Sequence, residues 1–198
     1  METKIGMRGI NNCEVDLGGA VVSGEDRLPF DDFRRVTEVL SDSRLLVGFQ
    51  AAGIAFGALD AASRYVLGRE QFGAPLAAAQ LTQEKLARAT GDAHAMLLQA
   101  WRGALLLEQG RLGAAEASLV KMWVTRQGRQ CVALTRELVG GNGMLADSHV
   151  GMCFADMEAA FTYEGAYDIN ALIAGRQATG LAAFKPRAGA GSGDRQPA

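Results

Sequence analysis

The stretch Leu45–Leu59, LLVGFQAAGIAFGAL, decides the fold because it is apolar on almost every side of a helix. Gln50 is the one polar side chain in it, and three glycines separate the larger residues. A helix that is apolar all round has to be buried, and this run is shorter than the roughly 20 apolar residues that span a membrane. The stretch therefore predicts the central core helix of a globular domain, and not a membrane span.

Helical patterning continues on both sides of this stretch, and glycines and prolines separate the segments. Asp31 and Asp32 are predicted to cap the first helix, although Ser41–Asp42–Ser43 favours an irregular start. The predicted helices cover residues 31–67, 80–109, 113–139, 149–157 and 166–184. Long helices joined by short loops predict an all-α fold, an up-and-down four-helix bundle that occupies residues 31–185.

The first thirty residues have a different pattern. Short alternation at Glu14–Leu17 and Ala20–Val22 predicts one or two strands that end in the turn marked by Pro29. Because two strands alone cannot bury an apolar face, we expect residues 1–30 to be the remnant of a middle β-domain, and the chain to be incomplete at its N-terminus. The Gly- and Pro-containing end, residues 186–198, predicts a disordered tail.

Composition argues against several classes of protein. The 20 Lys and Arg residues balance 22 Asp and Glu residues to a formal net charge of -2, which argues against a dedicated nucleic-acid surface. Three cysteines without paired spacing predict reduced thiols rather than a disulfide framework. Since no long apolar region opens the chain, we expect a cytoplasmic protein, or one of the mitochondrial or peroxisomal matrix in a eukaryote.

Glu164 is the leading candidate for a catalytic residue. It lies in FTYEGAYDINALIAGR, residues 161–176, between Tyr163 and Gly165 at a predicted helix entrance. A carboxylate beside aromatic side chains loses hydration, which suits a general base that takes a proton from carbon next to a carbonyl. Gly165 lets that carbonyl approach the backbone N–H. The alternative is a solvated carboxylate favoured by the helix dipole.

Two loops between predicted helices carry candidate cofactor contacts. In REQFGAPL, Arg69 can hold a pyrophosphate through two hydrogen bonds and Phe72 can stack on a flat ring; the alternative is a plain connection between helices. In RELVGGNG, Gly140 and Gly141 expose backbone N–H groups that can meet phosphate or ring carbonyls; the alternative is a helix C-cap and turn. Neither motif is a Walker loop or a dinucleotide fingerprint.

The two histidines predict neither a triad nor a metal site. In Asp147–Ser148–His149 the residues are adjacent in sequence, and such neighbours rarely meet in triad geometry. His149 and Cys153 are four residues apart, but a zinc site needs more ligands than these two.

The chain resembles the acyl-CoA dehydrogenase family from about Thr37 to Phe184. The residues that carry the resemblance are RYVLGREQFGAPLAAAQLTQEKLA, RELVGGNGMLADSHV and TYEGAYDINALIAGRQATGLAAF, in that order. The last segment is most similar to the glutaryl-CoA dehydrogenase branch, which includes short-chain acyl-CoA oxidases with stretches like GEDRLP and AFKP. The resemblance implies non-covalently bound FAD and α,β-dehydrogenation of a CoA thioester, followed by decarboxylation in the glutaryl branch.

The resemblance also implies roles for single residues. Glu164 matches the general base, Gly165 matches the residue whose N–H meets the thioester carbonyl, and Ser41 and Arg44 match the CoA-facing start of the first long helix. The positions that match FAD contacts, partly across a subunit boundary, are Arg69, Gln71, Phe72, Gln80, Glu137, Leu138, Val139, Gly140, Gly141, Ala166 and Phe184. Ala166 stands where the family usually has Thr and Glu137 where many members have Gln, so hydrogen bonds to FAD are lost.

Two hypotheses follow from this resemblance. The leading one is the C-terminal bundle of an acyl-CoA dehydrogenase that forms homotetramers and passes electrons to an electron-transfer flavoprotein or to oxygen. The resemblance also leads us to expect an N-terminal helical domain and most of a β-domain, which family members carry in addition to the part that matches here. The alternative is a non-catalytic oligomerising helical module, or one half of a split enzyme.

Overall fold

The computed structural model describes residues 3–30, 34–181 and 183 of the chain. Its helices are α1 (Arg34–Gly68), α2 (Gln80–Glu108), α3 (Ala114–Leu138), α4 (His149–Thr162) and α5 (Tyr167–Thr179). This architecture confirms the predicted all-α fold, and the five helices correspond one to one to the five predicted ranges. The predicted capping residues Asp31 and Asp32, and the predicted tail 186–198, lie outside the described residues.

The core forms where α1 and α3 meet, because α3 packs against all four other helices and α1 packs against α2, α3 and α4. The inward face of α1 consists of small, almost fully buried residues, Ala51, Ala52, Ala55, Ala58 and Ala62. Small side chains let neighbouring helices approach closely, and Met96, Val124 and Met157 fill the remaining space.

The same helix is apolar enough to raise the question of a membrane span. Among the described residues, one segment, Glu38–Gly68, is long and apolar enough to cross a bilayer. Its packing against three other helices of the bundle favours the sequence-based interpretation of a core helix.

Helix boundaries follow the predicted ones closely, with three differences. The first helix is unbroken through Ser41–Asp42–Ser43, and α4 continues to Thr162, past its predicted end at Met157. The last helix ends at Thr179 because Gly180 takes a left-handed φ of 71°, which closes the helix as a C-cap. The prediction that this helix continues through Gly180 and Leu181 is therefore wrong.

The strands predicted near the N-terminus are absent. Residues 3–30 contain only a 3₁₀ turn, Gly24–Asp26, and the side chains of Val15, Leu17, Val21 and Val22 are exposed. A strand needs a neighbour to accept and donate its backbone hydrogen bonds, and this chain supplies no further strand there. The prediction of strands at Glu14–Leu17 and Ala20–Val22 is therefore wrong, whereas the assignment of residues 1–30 to a middle β-domain stays a prediction.

A short β-hairpin lies instead between the first two helices. β1 (Glu70–Gln71) pairs antiparallel with β2 (Ala74–Pro75), and Phe72 and Gly73 form the turn between them. Both turn residues have positive φ, 56° and 80°, which is the geometry of a two-residue type I′ turn.

Two glycines of α1 offer a matched test of this packing. A Cβ added at buried Gly48 would lie 2.7 Å from Cγ1 of Val120, whereas one at exposed Gly53 would meet nothing within 4 Å. We expect Gly48→Ala to lower the free energy of unfolding by about 1–3 kcal/mol through overpacking. Gly53→Ala should raise it by up to about 1 kcal/mol through helix propensity. Urea denaturation of both variants measures the difference, and equal stabilities would contradict the packing of α1 on α3.

Candidate functional site

The turn between α4 and α5 places Glu164 in an unusual backbone conformation. Glu164 has a φ of 55° and Gly165 a φ of 89°, so two successive residues are left-handed. Glycine adopts this region freely, but a residue with a Cβ gives up roughly 1–2 kcal/mol there. Such a conformation persists only when surrounding groups hold it in place.

Lys121 of α3 and Asn170 of α5 hold this turn through its carbonyl groups. Nζ of Lys121 donates to the carbonyl of Phe161 at 2.8 Å and to the carbonyl of Gly165 at 2.7 Å. Nδ2 of Asn170 donates to the same Gly165 carbonyl at 2.7 Å. Both side chains are fully buried, so the turn is anchored from beneath to the core of the bundle.

The start of α1 holds Glu164 itself. Ser43 donates its hydroxyl to Oε2 of Glu164 at 2.7 Å, which fixes the direction of the carboxylate. Nε of Arg44 lies 3.4 Å from the backbone carbonyl of Glu164, and Nη1 donates to Oγ of Ser118 at 3.3 Å. Glu164 remains half-buried, so its carboxylate is oriented by the protein and still open on one side.

Two buried cations therefore lie beneath one carboxylate. Burial lowers the pKa of Lys121 to about 8, and the neighbouring Arg44 adds to this lowering, while Glu164 opposes it. Burial also lowers the pKa of Arg44, again with Glu164 in opposition. The negative charge of Glu164 thus stabilises both cations.

Gly165 leaves a hydrogen-bond donor open beside the carboxylate. Within the described part of the chain, no group accepts a hydrogen bond from its N–H. A Cβ at this position would lie 3.1 Å from Nδ2 of Asn170 and 3.7 Å from Nη2 of Arg44, so the packed turn favours glycine. A carboxylate next to a free backbone N–H can take a proton from carbon while the N–H stabilises the adjacent oxygen.

A second region of candidate residues surrounds a cavity of about 490 Å³ at the other end of the bundle. It brings together the residues predicted from the two loops, since its lining includes Arg69, Gln71, Glu137, Leu138, Val139, Gly140 and Gly141. Lys85 donates to the carboxylate of Glu137 at 2.7 Å. This hydrogen bond is the main reason why the pKa of Glu137 is lowered. Among the described residues no side chain pairs with the Arg69 guanidinium, so the cavity offers this cation, an amide and backbone N–H groups, with the acidic charge paired.

Phe72 stands apart from the cavity, at the tip of the hairpin. Its side chain is 105% exposed and its φ is positive, which is unusual for a bulky residue. Gln80, the first residue of α2, is also exposed and does not line the cavity. Neither side chain meets the cavity of its own chain, which fits contacts made outward from the surface.

The remaining predicted residues lie in three settings. Ser41 and Arg44 are more than nine-tenths buried, and the contacts of Arg44 go to the turn beneath Glu164. Ala166 is the N-cap residue of α5 and makes no side-chain capping bond. Phe184 lies outside the described residues.

The candidate residues therefore form two separate groups. Ser43, beside Glu164, and Tyr65, at the cavity, are both on α1, and about 33 Å of helix lies between them at roughly 1.5 Å per residue. A single chain keeps the base and the Arg69 loop at opposite ends of the bundle.

Three residues of the site were not predicted from the sequence. Ser43 and Lys121 contact the turn across 121 and 44 residues of sequence, so local patterns do not connect them to it. Asn170 is only five residues from Gly165, and its polar side chain on the first turns of α5 was not singled out. Lys121 does carry a signal, because it falls on the apolar stripe of α3 with Ala117, Val120 and Val124. A lysine on a buried stripe needs buried acceptors.

The sequence matches the family described as "Acyl-CoA dehydrogenase, C-terminal domain" over residues 33–179. Two curated relatives are each 29% identical to it. The 3-(aryl)acrylate reductase of Clostridium sporogenes matches over 87% of this chain and 46% of its own length. The cyclohexane-1-carbonyl-CoA dehydrogenase of Geobacter metallireducens matches over 89% of this chain and 47% of its own length. The chain thus spans about half the length of the curated relatives it matches.

A solved structure shares the fold. The glutaryl-CoA dehydrogenase of Mycobacterium smegmatis, in complex with FADH2, superposes with a TM-score of 0.75 at 29% identity. The superposition covers 79% of this chain and 40% of that protein.

The shifted pKa of the buried Lys121 predicts how the free energy of unfolding changes with pH. Folding lowers the pKa of Lys121 from 10.5 to about 8, so between these values the unfolded chain binds more protons at this residue. The cost of burying the charge is therefore present below the folded pKa and is relieved as pH rises through the window. We expect the free energy of unfolding of the wild-type chain to rise, relative to that of Lys121→Met, between about pH 8 and pH 10.5.

Urea denaturation at a series of pH values measures this difference. The buried thiols of Cys131 and Cys153 have raised pKa values and act in the opposite direction, but they are present in both proteins and cancel in the comparison. A difference that stays constant across the window would contradict the buried, charged state of Lys121.

Proposed function

This chain belongs to the acyl-CoA dehydrogenase family through its C-terminal domain, and on that premise we propose that it carries the base that dehydrogenates a CoA thioester. The observation that supports the proposal most is the pairing of a half-buried, oriented carboxylate with a free backbone N–H on adjacent residues, Glu164 and Gly165.

The turn performs the proton-transfer half of the reaction. The N–H of Gly165 donates to the thioester carbonyl and stabilises the negative charge that grows on its oxygen as the α-proton leaves. The carboxylate of Glu164 takes that proton, and Ser43 keeps the accepting oxygens directed at the substrate. Because the carbonyl is polarised at the moment of transfer, the α-proton becomes acidic enough for a carboxylate.

The second region fits part of FAD. Its guanidinium and backbone N–H groups suit a pyrophosphate, and its amide suits a hydrogen-bonding ring edge. The chemistry that FAD would supply there is a hydride acceptor for the β-hydrogen of the substrate. Arg69 and the N–H groups of Gly140 and Gly141 would hold the pyrophosphate, and Lys85 compensates the negative charge of Glu137, which lines the same cavity.

The distance between the two regions argues for a homo-oligomer. About 33 Å of α1 separates them in one chain, so a complete site takes its base from one copy and its Arg69 loop from another. The exposed Phe72 at the hairpin tip is placed to reach a neighbouring copy. We propose a homotetramer, since closed symmetric assemblies satisfy such a contact for every copy.

For the substrate we propose a glutaryl-CoA-like thioester, with decarboxylation after dehydrogenation. The support is the ending TYEGAYDINALIAGRQATGLAAF and the likeness in fold to a glutaryl-CoA dehydrogenase. For the electron acceptor we propose an electron-transfer flavoprotein, with oxygen as the alternative. A panel of thioesters of different acyl length, with and without a distal carboxylate, distinguishes the substrate proposals.

Replacing the base tests the central role. The assay uses a reconstituted complex of this chain with the N-terminal half of the M. smegmatis glutaryl-CoA dehydrogenase. We expect Glu164→Gln to lower kcat at least about 100-fold, because an amide cannot accept the proton, while bound flavin stays nearly unchanged. Glu108→Gln, an exposed acid at the end of α2, is the control. Retained turnover in Glu164→Gln would defeat the assignment of the base.

Replacing the guanidinium tests the cofactor region. We expect Arg69→Ala to weaken FAD binding by about tenfold or more, the order lost with a charge-assisted hydrogen bond. Flavin fluorescence on titration of the 198-residue chain with FAD measures it. Arg64→Ala is the matched control, because Arg64 is an exposed arginine of α1, five residues before Arg69, and pairs with Asp60. If both variants bind FAD like the wild type, the hairpin loop is only a connector.

A further inference from the structure

Lys121 is the largest fully buried side chain among the described residues, and the proton transfer described above does not use it. An ammonium group taken out of water needs partners that replace its hydration. Within the described part of the chain no carboxylate lies within ion-pairing distance of it. Its recorded partners are two backbone carbonyls, those of Phe161 and Gly165.

These two carbonyls lie on either side of Glu164. Phe161 is in the last turn of α4, where carbonyl groups lack a helical partner and a positive charge is favoured by the helix dipole. Gly165 directly follows Glu164. The ammonium group of Lys121 therefore links the backbone before Glu164 to the backbone after it through two hydrogen bonds. Because Lys121 belongs to α3, this link is fixed to the centre of the bundle.

These two hydrogen bonds hold the strained part of the backbone, the turn at Glu164 and Gly165. Glu164 and Gly165 are both left-handed, and a non-glycine residue leaves that region unless its surroundings prevent it. If the turn relaxed, the carboxylate would leave Ser43 and the N–H of Gly165 would change direction. The hydrogen bonds from an ammonium are charge-assisted and about twice as strong as those of a neutral donor, which suits Lys121 to this task better than an amide.

We propose that Lys121 is a positioning residue of the dehydrogenation reaction, whose ammonium clamps the Phe161 and Gly165 carbonyls so that the Glu164 carboxylate and the Gly165 N–H are presented together. This inference rests on the proposed function and deepens it. Lys121 acts through the turn, and its effect belongs to the chemical step rather than to substrate binding.

Three variants of the full chain test the clamp. Lys121→Met keeps the length of the side chain and removes its donors, and Lys121→Arg restores a cation with donors. Thr125→Val is the matched control, because Thr125 is a fully buried polar residue one turn along the same helix, and its hydroxyl donates within α3.

Amide hydrogen exchange on the chain reports the clamp without any assay of activity. In Lys121→Met we expect at least about tenfold faster exchange at the amides of Tyr163 and Asn170, which donate to the carbonyls of Ala159 and Ala166 on either side of the turn. This is the change produced when a local opening loses one stabilising interaction. Exchange in the middle of α2 should stay unchanged, and Thr125→Val should behave like the wild type at the turn. Unchanged exchange at the turn in Lys121→Met would overturn the proposal.

Turnover in the reconstituted complex reports the role in catalysis. We expect Lys121→Met to lower kcat at least about tenfold with little change in KM, because a misplaced base slows the chemical step. Lys121→Arg should recover part of that loss. If turnover depends on Glu164 and Lys121→Met has the wild-type kcat, the positioning role is wrong while the proposed function stands. A complex in which Glu164→Gln changes nothing overturns the proposed function itself.

Discussion

The packing of one ammonium group constrains how this bundle is built around its candidate base. Lys121 lies on the stripe of α3 that faces every other helix, where water cannot reach it. A buried cation without acceptors destabilises the folded state strongly. The last turn of α4 and the turn between α4 and α5 therefore have to place carbonyl groups next to it. These carbonyl groups are those of Phe161 and Gly165, on either side of Glu164. Folding of the core and assembly of the candidate site are thus one event.

The chemistry of the turn follows from this constraint. Lys121 holds the carbonyl groups of Phe161 and Gly165, and the turn leaves the carboxylate of Glu164 and the N–H of Gly165 available. A proton transfer from carbon next to a carbonyl needs these two groups. Ser43 fixes the carboxylate from α1, and Arg44 reaches the backbone of Glu164 from the next position. Preorganised donors of this kind cost little reorganisation when charge develops on the substrate.

The length of α1 separates the base from the cofactor region. The helix begins beside the base and ends beside the cavity lined by Arg69 and the paired glycines. A rigid helix of this length keeps the two regions apart in one chain. In the proposed assembly the same rigidity becomes useful, because each copy presents a base at one end and a cofactor surface at the other.

The sequence predicted the parts of the fold that depend on local pattern. Helical periodicity, Gly110 and the GGNG segment located α2 and α3 within one or two residues, since breakers and apolar spacing act over a single turn. The same reasoning failed for residues 14–22, because alternation makes a strand only where a neighbouring strand exists.

Long-range contacts could not be predicted in this way. Glu164 was singled out from its neighbours in sequence, but Ser43 donates to it across 121 residues of sequence, and Lys121 donates to the adjacent Gly165 across 44. Only the misfit of Lys121 on an apolar stripe indicated that a buried acceptor had to exist.

Deuterium exchange at the α-carbon of the thioester tests the central claim most directly, because it isolates proton transfer from the flow of electrons. The reconstituted complex is incubated with a CoA thioester in D2O without an electron acceptor, and deuterium at the α-carbon is followed by mass spectrometry. The account predicts incorporation by the wild type and its loss in Glu164→Gln. Equal incorporation by the two proteins would contradict it.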